Sequence, residues 1–211
     1  MIDELLRFFV LLFVVVEPIT LVPVFAGLTG GAGERYRRKM ALKAVAVSGI
    51  VLVLFALGGA WFIDMMGISV DAFRIAGGAM LFLIALEMVF ARESGTKTTS
   101  EEKTEVQQRD DISVFPLAFP FIAGPGALAT VLLTFGTLHP DPLLTLGLLG
   151  VIAAVLAITL ALLLLTPFVN RVMGVTGAHV VSRLAGVVLA ALAVQFMIDG
   201  LKGTFLFSFS S

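Results

Sequence analysis

The stretch Val114–Phe135 reads VFPLAFPFIAGPGALATVLLTF and carries no charged side chain. A helix needs about 20 mostly apolar residues to cross a bilayer core, and this stretch is long enough. It is also ill suited to one continuous helix. Pro116, Pro120 and Pro125 each lack an amide donor and crowd the turn before them, and Gly124 and Gly126 flank the last of the three. Ala-Gly-Pro-Gly at 123–126 therefore predicts a span interrupted near mid-membrane. A second half-helix is expected to begin at Pro125, a residue suited to a helix's first turn. The amides of Gly126, Ala127 and Leu128 should then point into the gap and attract a carboxylate.

Five further segments are long and apolar enough to cross: Leu5–Leu28, Ala41–Met65, Ala72–Ala91, Leu143–Val169 and Arg183–Leu201. The whole chain of 211 residues is 59% hydrophobic and 14% charged, with a mean hydropathy of +1.07. A soluble domain runs nearer ~45–50% apolar and ~25% charged, so the surplus must face lipid. The expected fold is all-α and integral to the membrane, with six transmembrane helices. Asp3 and Glu4 occupy the extreme N-terminus, where a signal peptide carries positive charge. The apolar run that follows also exceeds an h-region of about 7–15 residues, so Leu5–Leu28 is read as a retained span.

The same composition excludes several classes. With no cysteine there is no disulfide and no thiolate metal site. The two histidines, His139 and His179, lie far apart near predicted helix ends, so no metal and no cofactor are expected. A net charge of -1 points away from nucleic acid. No P-loop is present. Ser182, near His179, has no third partner and sits at a predicted helix start, so no catalytic constellation emerges and the chain is not read as an enzyme.

Residues 92–111, RESGTKTTSEEKTEVQQRDD, are polar, mixed in charge and without apolar periodicity, which reads as a solvated, mobile loop. This loop separates a first unit, 1–91, from a second, 112–203, with a tail at 204–211. Basic residues set the orientation. Arg35, Arg37, Arg38, Lys39 and Lys43 follow the first span, Arg92, Lys97, Lys103 and Arg109 lie in the central loop, and Arg171 and Arg183 precede the last span. These are 11 of the 14 basic residues. Placing them inside leaves Arg7, Arg74 and Lys202 outside, with both termini facing outward from an inner (plasma) membrane.

The two units also match each other. At a shift of 107 positions Pro18 falls on Pro125, and Met66-Gly67 falls on Met173-Gly174. At 109, Arg74-Ile-Ala-Gly77 falls on Arg183-Leu-Ala-Gly186. Three spans per unit require the second copy to be inverted. Such repeats are common in secondary transporters, which bind solute where paired helices are broken. The first span, VVVEPITLVPVFAGL at 14–28, supplies the second break. Pro18 and Pro23 should deprive residues 14 and 19 of their ordinary partners, and lipid requires that the freed groups be satisfied by protein or cavity water. Glu17 lies almost at the centre of this span, where a carboxylate costs roughly 2.5–3.5 kcal/mol by analogy with aspartate. It should therefore face the bundle interior or be protonated. A zwitterion fits this pair, its carboxylate toward Ala123, Gly124, Pro125, Gly126 and Ala127, its ammonium toward Glu17, Thr20 or freed carbonyls beside Pro18 and Pro23.

Other positions admit two readings. Gln195 is deep enough to line a cavity or to bond between helices. Glu87, one turn from the inner end of its span, either snorkels or serves as a second coupling group. Arg74 and Arg183, at the start of equivalent helices, either gate or anchor at the interface. Asp199 should be solvated near the outer end. Gly49, Gly58, Gly59, Gly77, Gly78 and Gly186 read as close-packing positions.

EPITLVPVF, RIAGG, PLAFPFIAGPGA and RLAGVVLAALAVQFMIDG together resemble the MarC family of bacterial and archaeal inner-membrane proteins, over nearly the whole chain. A family relative of the SnatA type is described as a transporter of small neutral amino acids. The resemblance thus implies glycine- or alanine-like substrates with proton or ion coupling. The expected partners are a small neutral amino acid, membrane lipids, a proton or monovalent cation, and further copies of the chain in a homo-oligomer. The family's usual first-span pattern is similar to Asp-Pro-x-Gly-Asn-x-Pro. Here Glu17 replaces the aspartate, Thr20 a glycine and Leu21 an amide, so only Glu17, Pro18 and Pro23 carry over there. An exporter of other small solutes or drugs, and a non-transporting scaffold or channel, stand as alternatives.

Overall fold

A computed structural model describes residues 1–30, 32–90, 111–138 and 141–208. Helices are α1 (Ile2–Val16), α2 (Pro18–Leu28), α3 (Glu34–Met65) and α4 (Val70–Phe90). After an irregular coil, Ser113–Ile122, come α5 (Pro125–Leu138), α6 (Pro142–Leu164) and α7 (Thr166–Ser208). No strand occurs among the described residues. Five helical stretches are long and apolar enough to cross a membrane, and six if the bent pair of the coil and α5 forms one span.

Local chemistry sets the boundaries. Asp141 caps α6, its carboxylate accepting from the Leu144 amide at 2.7 Å, with Pro142 in the first turn. Ser69 accepts from the Ala72 amide at 3.1 Å at the head of α4. Gly67, at φ 71°, ends α3 in the left-handed conformation that glycine adopts without a Cβ penalty. Met66-Gly67 thus form a turn, whereas Met173-Gly174 lie inside α7. The two halves differ at this pair.

Helix directions follow from who meets whom. Lys43 pairs with Asp111, Ser48 donates to the Ala118 carbonyl at 3.4 Å, and Gly59 packs on Leu132. These contacts climb α3 in register, so the coil and α5 run parallel to it and pass through rather than turning back. The axes of the coil and α5 differ by 54°. Phe8 meets Phe135 edge-on at 6.3 Å while Val15 meets Gly126, so α1 is antiparallel to α5. Gly77 meets Leu133 and Ile84 meets Gly126, so α4 is too. Antiparallel α4 and α7 pack closely: Gly78 against Ala193 and Met197, Gly186 against Ala85 and Met88, Gly200 against Asp71. Small residues on both sides let the backbones approach.

The core gathers Leu12, Phe25, Leu52, Leu81, Leu117, Ile122, Leu148 and Leu189. Outside it, Leu54, Leu146 and Leu184 are each about two-thirds exposed, a surface that only lipid covers without penalty.

The last span departs from expectation. The helix that carries Arg183 begins at Thr166, not at Arg183, and one residue, Leu165, separates it from α6. At 1.5 Å per residue α7 is about 65 Å long, and Val180–Thr204 within it is long and apolar enough to cross a membrane. Arg171 and Ser182 therefore lie within a helix rather than in a connecting loop. The segment before Val180 stays helical although it contains Asn170, Gly174, Thr176 and Gly177; no proline lies between Val169 and Val180 to remove a ladder donor. At the other end the helix continues to Ser208. The central loop, apart from Asp111, falls outside the described residues, as does His139.

Candidate functional site

Both predicted interruptions exist, and they are built differently. In the first span the break is one residue wide. Glu17 has φ 52° and ψ 54° and stands between α1 and α2. Its amide still donates to the Phe13 carbonyl at 3.1 Å, and its carbonyl accepts from the Leu21 amide at 3.0 Å. Pro18 opens α2, where a missing amide is harmless. Pro23 lies inside α2 without ending it.

In the fourth span the chain before the break is not an ordinary helix at all. Pro116 and Pro120 remove two donors, and Phe115 and Phe119 adopt extended backbone. The amides of Leu117 and Ala123 reach back five residues, to Ile112 at 3.3 Å and Ala118 at 2.8 Å, making the wide turns typical of π-type geometry. Both Phe-Pro peptide bonds are cis. The chain then crosses Ala123-Gly124 and starts α5 at Pro125. Gly124 is the tightest point of the turn, since a Cβ there would lie 2.0 Å from the Pro120 carbonyl oxygen. Its own carbonyl accepts from the Leu128 amide at 3.0 Å. Leu128 is therefore engaged within the helix and does not point into the gap. Gly126 and Ala127 remain at the break.

Around this break lies a cavity of about 150 Å³. Gly124, Pro125, Gly126 and Ala127 form one wall, Pro120 and Phe121 another, and Val15 with Met80, Leu83 and Ile84 the rest. The predicted fourth-span residues thus come together, with Ala123 buried beside them. The first-span residues do not join them. Val15 reaches the cavity, but Glu17 is not among its lining residues, nor are Pro18, Thr20 and Pro23.

Glu17 instead has a partner that the sequence reading set aside. The Ser182 hydroxyl donates to Glu17 Oε1 at 2.7 Å, across 165 positions of sequence. Both side chains are buried. Nothing in the sequence paired Ser182 with Glu17, because that contact depends on α2 packing across α7.

Gln195 lies on an exposed face of α7, its amide donating to Asp199 one turn on at 2.8 Å. It faces away from the buried line Ser182, Gly186, Leu189, Ala193 and does not line the cavity. Arg74 is bonded to Asp71 at 2.9 Å in the first turn of α4. Arg183 is exposed partway along α7, so it does not start a helix as Arg74 does. Glu87 is half-buried near the end of α4. Where the central loop re-enters, Asp111 accepts from Lys43 and from the Ser113 hydroxyl and amide. These donors, Lys43 first, hold its carboxyl well below the usual carboxylate range.

No solved structure matches this chain. Relatives by sequence are numerous. The membrane protein YvbG of Bacillus subtilis is 35% identical over 206 residues, covering 97% of each chain. The membrane protein YhcE of Escherichia coli is 34% identical over 199 residues, covering 94% of this chain and 92% of the relative. A membrane protein of Aquifex aeolicus is 36% identical over 200 residues, covering 92% of this chain and 90% of the relative. The model of the MarC family integral membrane proteins matches residues 2–205. The chain belongs to the MarC family of integral membrane proteins.

Proposed function

We propose that the protein is a secondary transporter of small neutral amino acids such as glycine or alanine, working by alternating access. The observation that carries this reading is the cavity at the fourth-span break. There the head of α5 presents Gly126 and Ala127 to a partly open cavity that the end of α1 also reaches. A helix start of this kind favours a carboxylate, and the aliphatic walls suit a small apolar side chain. At about 150 Å³ the space falls below the ~300–1,000 Å³ of pockets for drug-sized ligands. That size favours a small solute over a drug.

An inverted relation between the halves is supported by three features. Pro18 and Pro125, 107 positions apart, each open the second half of a broken span. Gly49 packs on Leu156, again 107 positions away, as expected where a two-fold axis passes between partner helices. Antiparallel α4 and α7 pack Gly186 on Met88, and Gly78, the neighbour of its equivalent Gly77, on Met197, which lies 109 positions from Met88. In the proposed cycle the halves rock about these contacts. Glu17 is the coupling group, taking a proton or a monovalent cation, and the basic loops face the cytoplasm of an inner-membrane protein.

Counterflow of labelled glycine and alanine in proteoliposomes, with and without a pH gradient, tests the reading. Saturable exchange of unlabelled for labelled solute is expected. Non-saturating flux would mark a channel, and no flux of either amino acid would overturn the substrate assignment.

A further inference from the structure

In membrane helices a serine or threonine hydroxyl ordinarily bonds back to a carbonyl one turn earlier. Thr29, Ser48, Thr134, Thr159 and Thr204 all do so here, to Phe25, Ala44, Thr130, Val155 and Gly200. Thr166 does the same to Leu163. Thr130 does not. It is fully buried, and among the described residues its hydroxyl is the one buried side-chain oxygen with no hydrogen-bond partner. A group in that condition costs free energy unless something outside the resting contacts satisfies it in another state.

Its position says what that is. Thr130 lies four residues after Gly126 and three after Ala127, so all three share one face of α5. The Cα–Cβ bond of a helical residue tilts toward the helix N-terminus, so Thr130 is set toward the end of α5 that carries the break. Two flexible tips cover that same face at Gly126. Val15 Cγ1 and Ile84 Cδ1 each lie 2.8 Å from where a Gly126 Cβ would be, and both residues line the cavity. Because Gly126 has no side chain, they close over it, with Leu81 Cδ2 beside them at 3.4 Å, on the face that Thr130 shares one turn on. Rotation of these aliphatic side chains uncovers that face.

We propose that Thr130 is a second solute-binding position, one turn beyond the Gly124–Ala127 break, which the Val15–Ile84 contact occludes in this conformation. This rests on the transport reading and deepens it. The solute passes from the amides at the head of α5 to the Thr130 hydroxyl, which bonds its polar group as Val15 and Ile84 part. The orphan hydroxyl is kept because it serves the moving solute, and removing it should not weaken the fold.

The absence of cysteine allows a direct test on the full-length protein in membranes. Thr130→Cys and Val131→Cys are compared, Val131 being fully buried on a neighbouring face. A small hydrophilic methanethiosulfonate reagent should modify T130C about tenfold or more faster than V131C, since an open state populated at only ~0.1–10% suffices for labelling. Equal rates would overturn the proposal. Glycine or alanine should slow the labelling of T130C. Fast labelling that neither amino acid slows leaves the position standing and sinks the amino-acid assignment instead. In parallel, Thr130→Val should melt no lower than wild type yet lose counterflow. A variant that keeps wild-type counterflow overturns the role of the hydroxyl, independently of how the cysteine variants fold.

Discussion

The first and fourth spans are both broken beside a proline, and the two breaks solve different problems. At Glu17 the helix ladder is almost intact: one left-handed residue redirects the chain, and the hydrogen bonds on either side survive. A non-glycine residue in that region is uncommon and carries local strain. The strain is held by α2 packing on α7 and by the Ser182 contact. At Ala123-Gly124 the regular ladder is missing for the whole preceding coil, and a cavity opens where it ends. The lesson is a division of labour. The wide break leaves a cavity, while the narrow break aims one carboxylate at a neighbouring helix.

That contrast is sharpest at Gly124. Gly124→Ala would drive a Cβ into the Pro120 carbonyl, a backbone atom that cannot yield. A loss of about 4 kcal/mol or more is expected, in the exceptional range for a single substitution, read as failure to fold or a large drop in melting temperature in detergent. A wild-type-like melt would show the turn to be far more pliant than its geometry.

Glu17→Gln keeps an acceptor for Ser182 and removes the ionisable group. The fold should persist while pH-driven flux disappears, and unchanged pH dependence would refute coupling at the narrow break. Ser182→Ala is the converse experiment. It leaves a buried carboxyl without this donor, at a cost of about 1–3 kcal/mol, visible as a lower melting temperature.

The Lys43–Asp111 pair ties the base of the wide break to α3, yet both side chains are nearly half exposed. Lys43→Met should cost only ~0–1 kcal/mol. Since the Asp111 carboxyl is shifted downward, its contribution is fully present above the unfolded carboxylate value near ~3.9 and is lost only as pH falls through the lower folded value. Melting curves of wild type and Lys43→Met should therefore run parallel between pH 5 and pH 8 (on the order of the physiological range). Smallest of all is Gly58→Ala, where an added Cβ meets nothing within 4 Å. A gain of about 0.5–1 kcal/mol is expected from helix propensity.

Much of this was legible in the residues. Runs of apolar residues about twenty long dictate helices in lipid, because every backbone group must be satisfied within the segment. Pro125 with its two glycines dictates a break, because the donor and the side-chain constraints are both absent there. Pro18 likewise marked the first break, though it could not say that Glu17 itself would turn left-handed. Tertiary structure alone decided the rest. Ser182 became the partner of Glu17 only when α7 extended back to Thr166 and brought that turn against α2. Gln195, polar and deep by count, was rotated outward by the phase of the same helix. Thr130 became an orphan because packing buries it fully and no described neighbour bonds its hydroxyl. Hydropathy and proline act through the local chain and can be read from it. The partner of a buried polar group depends on which helices meet and at what rotation, a choice made by packing among segments distant in sequence.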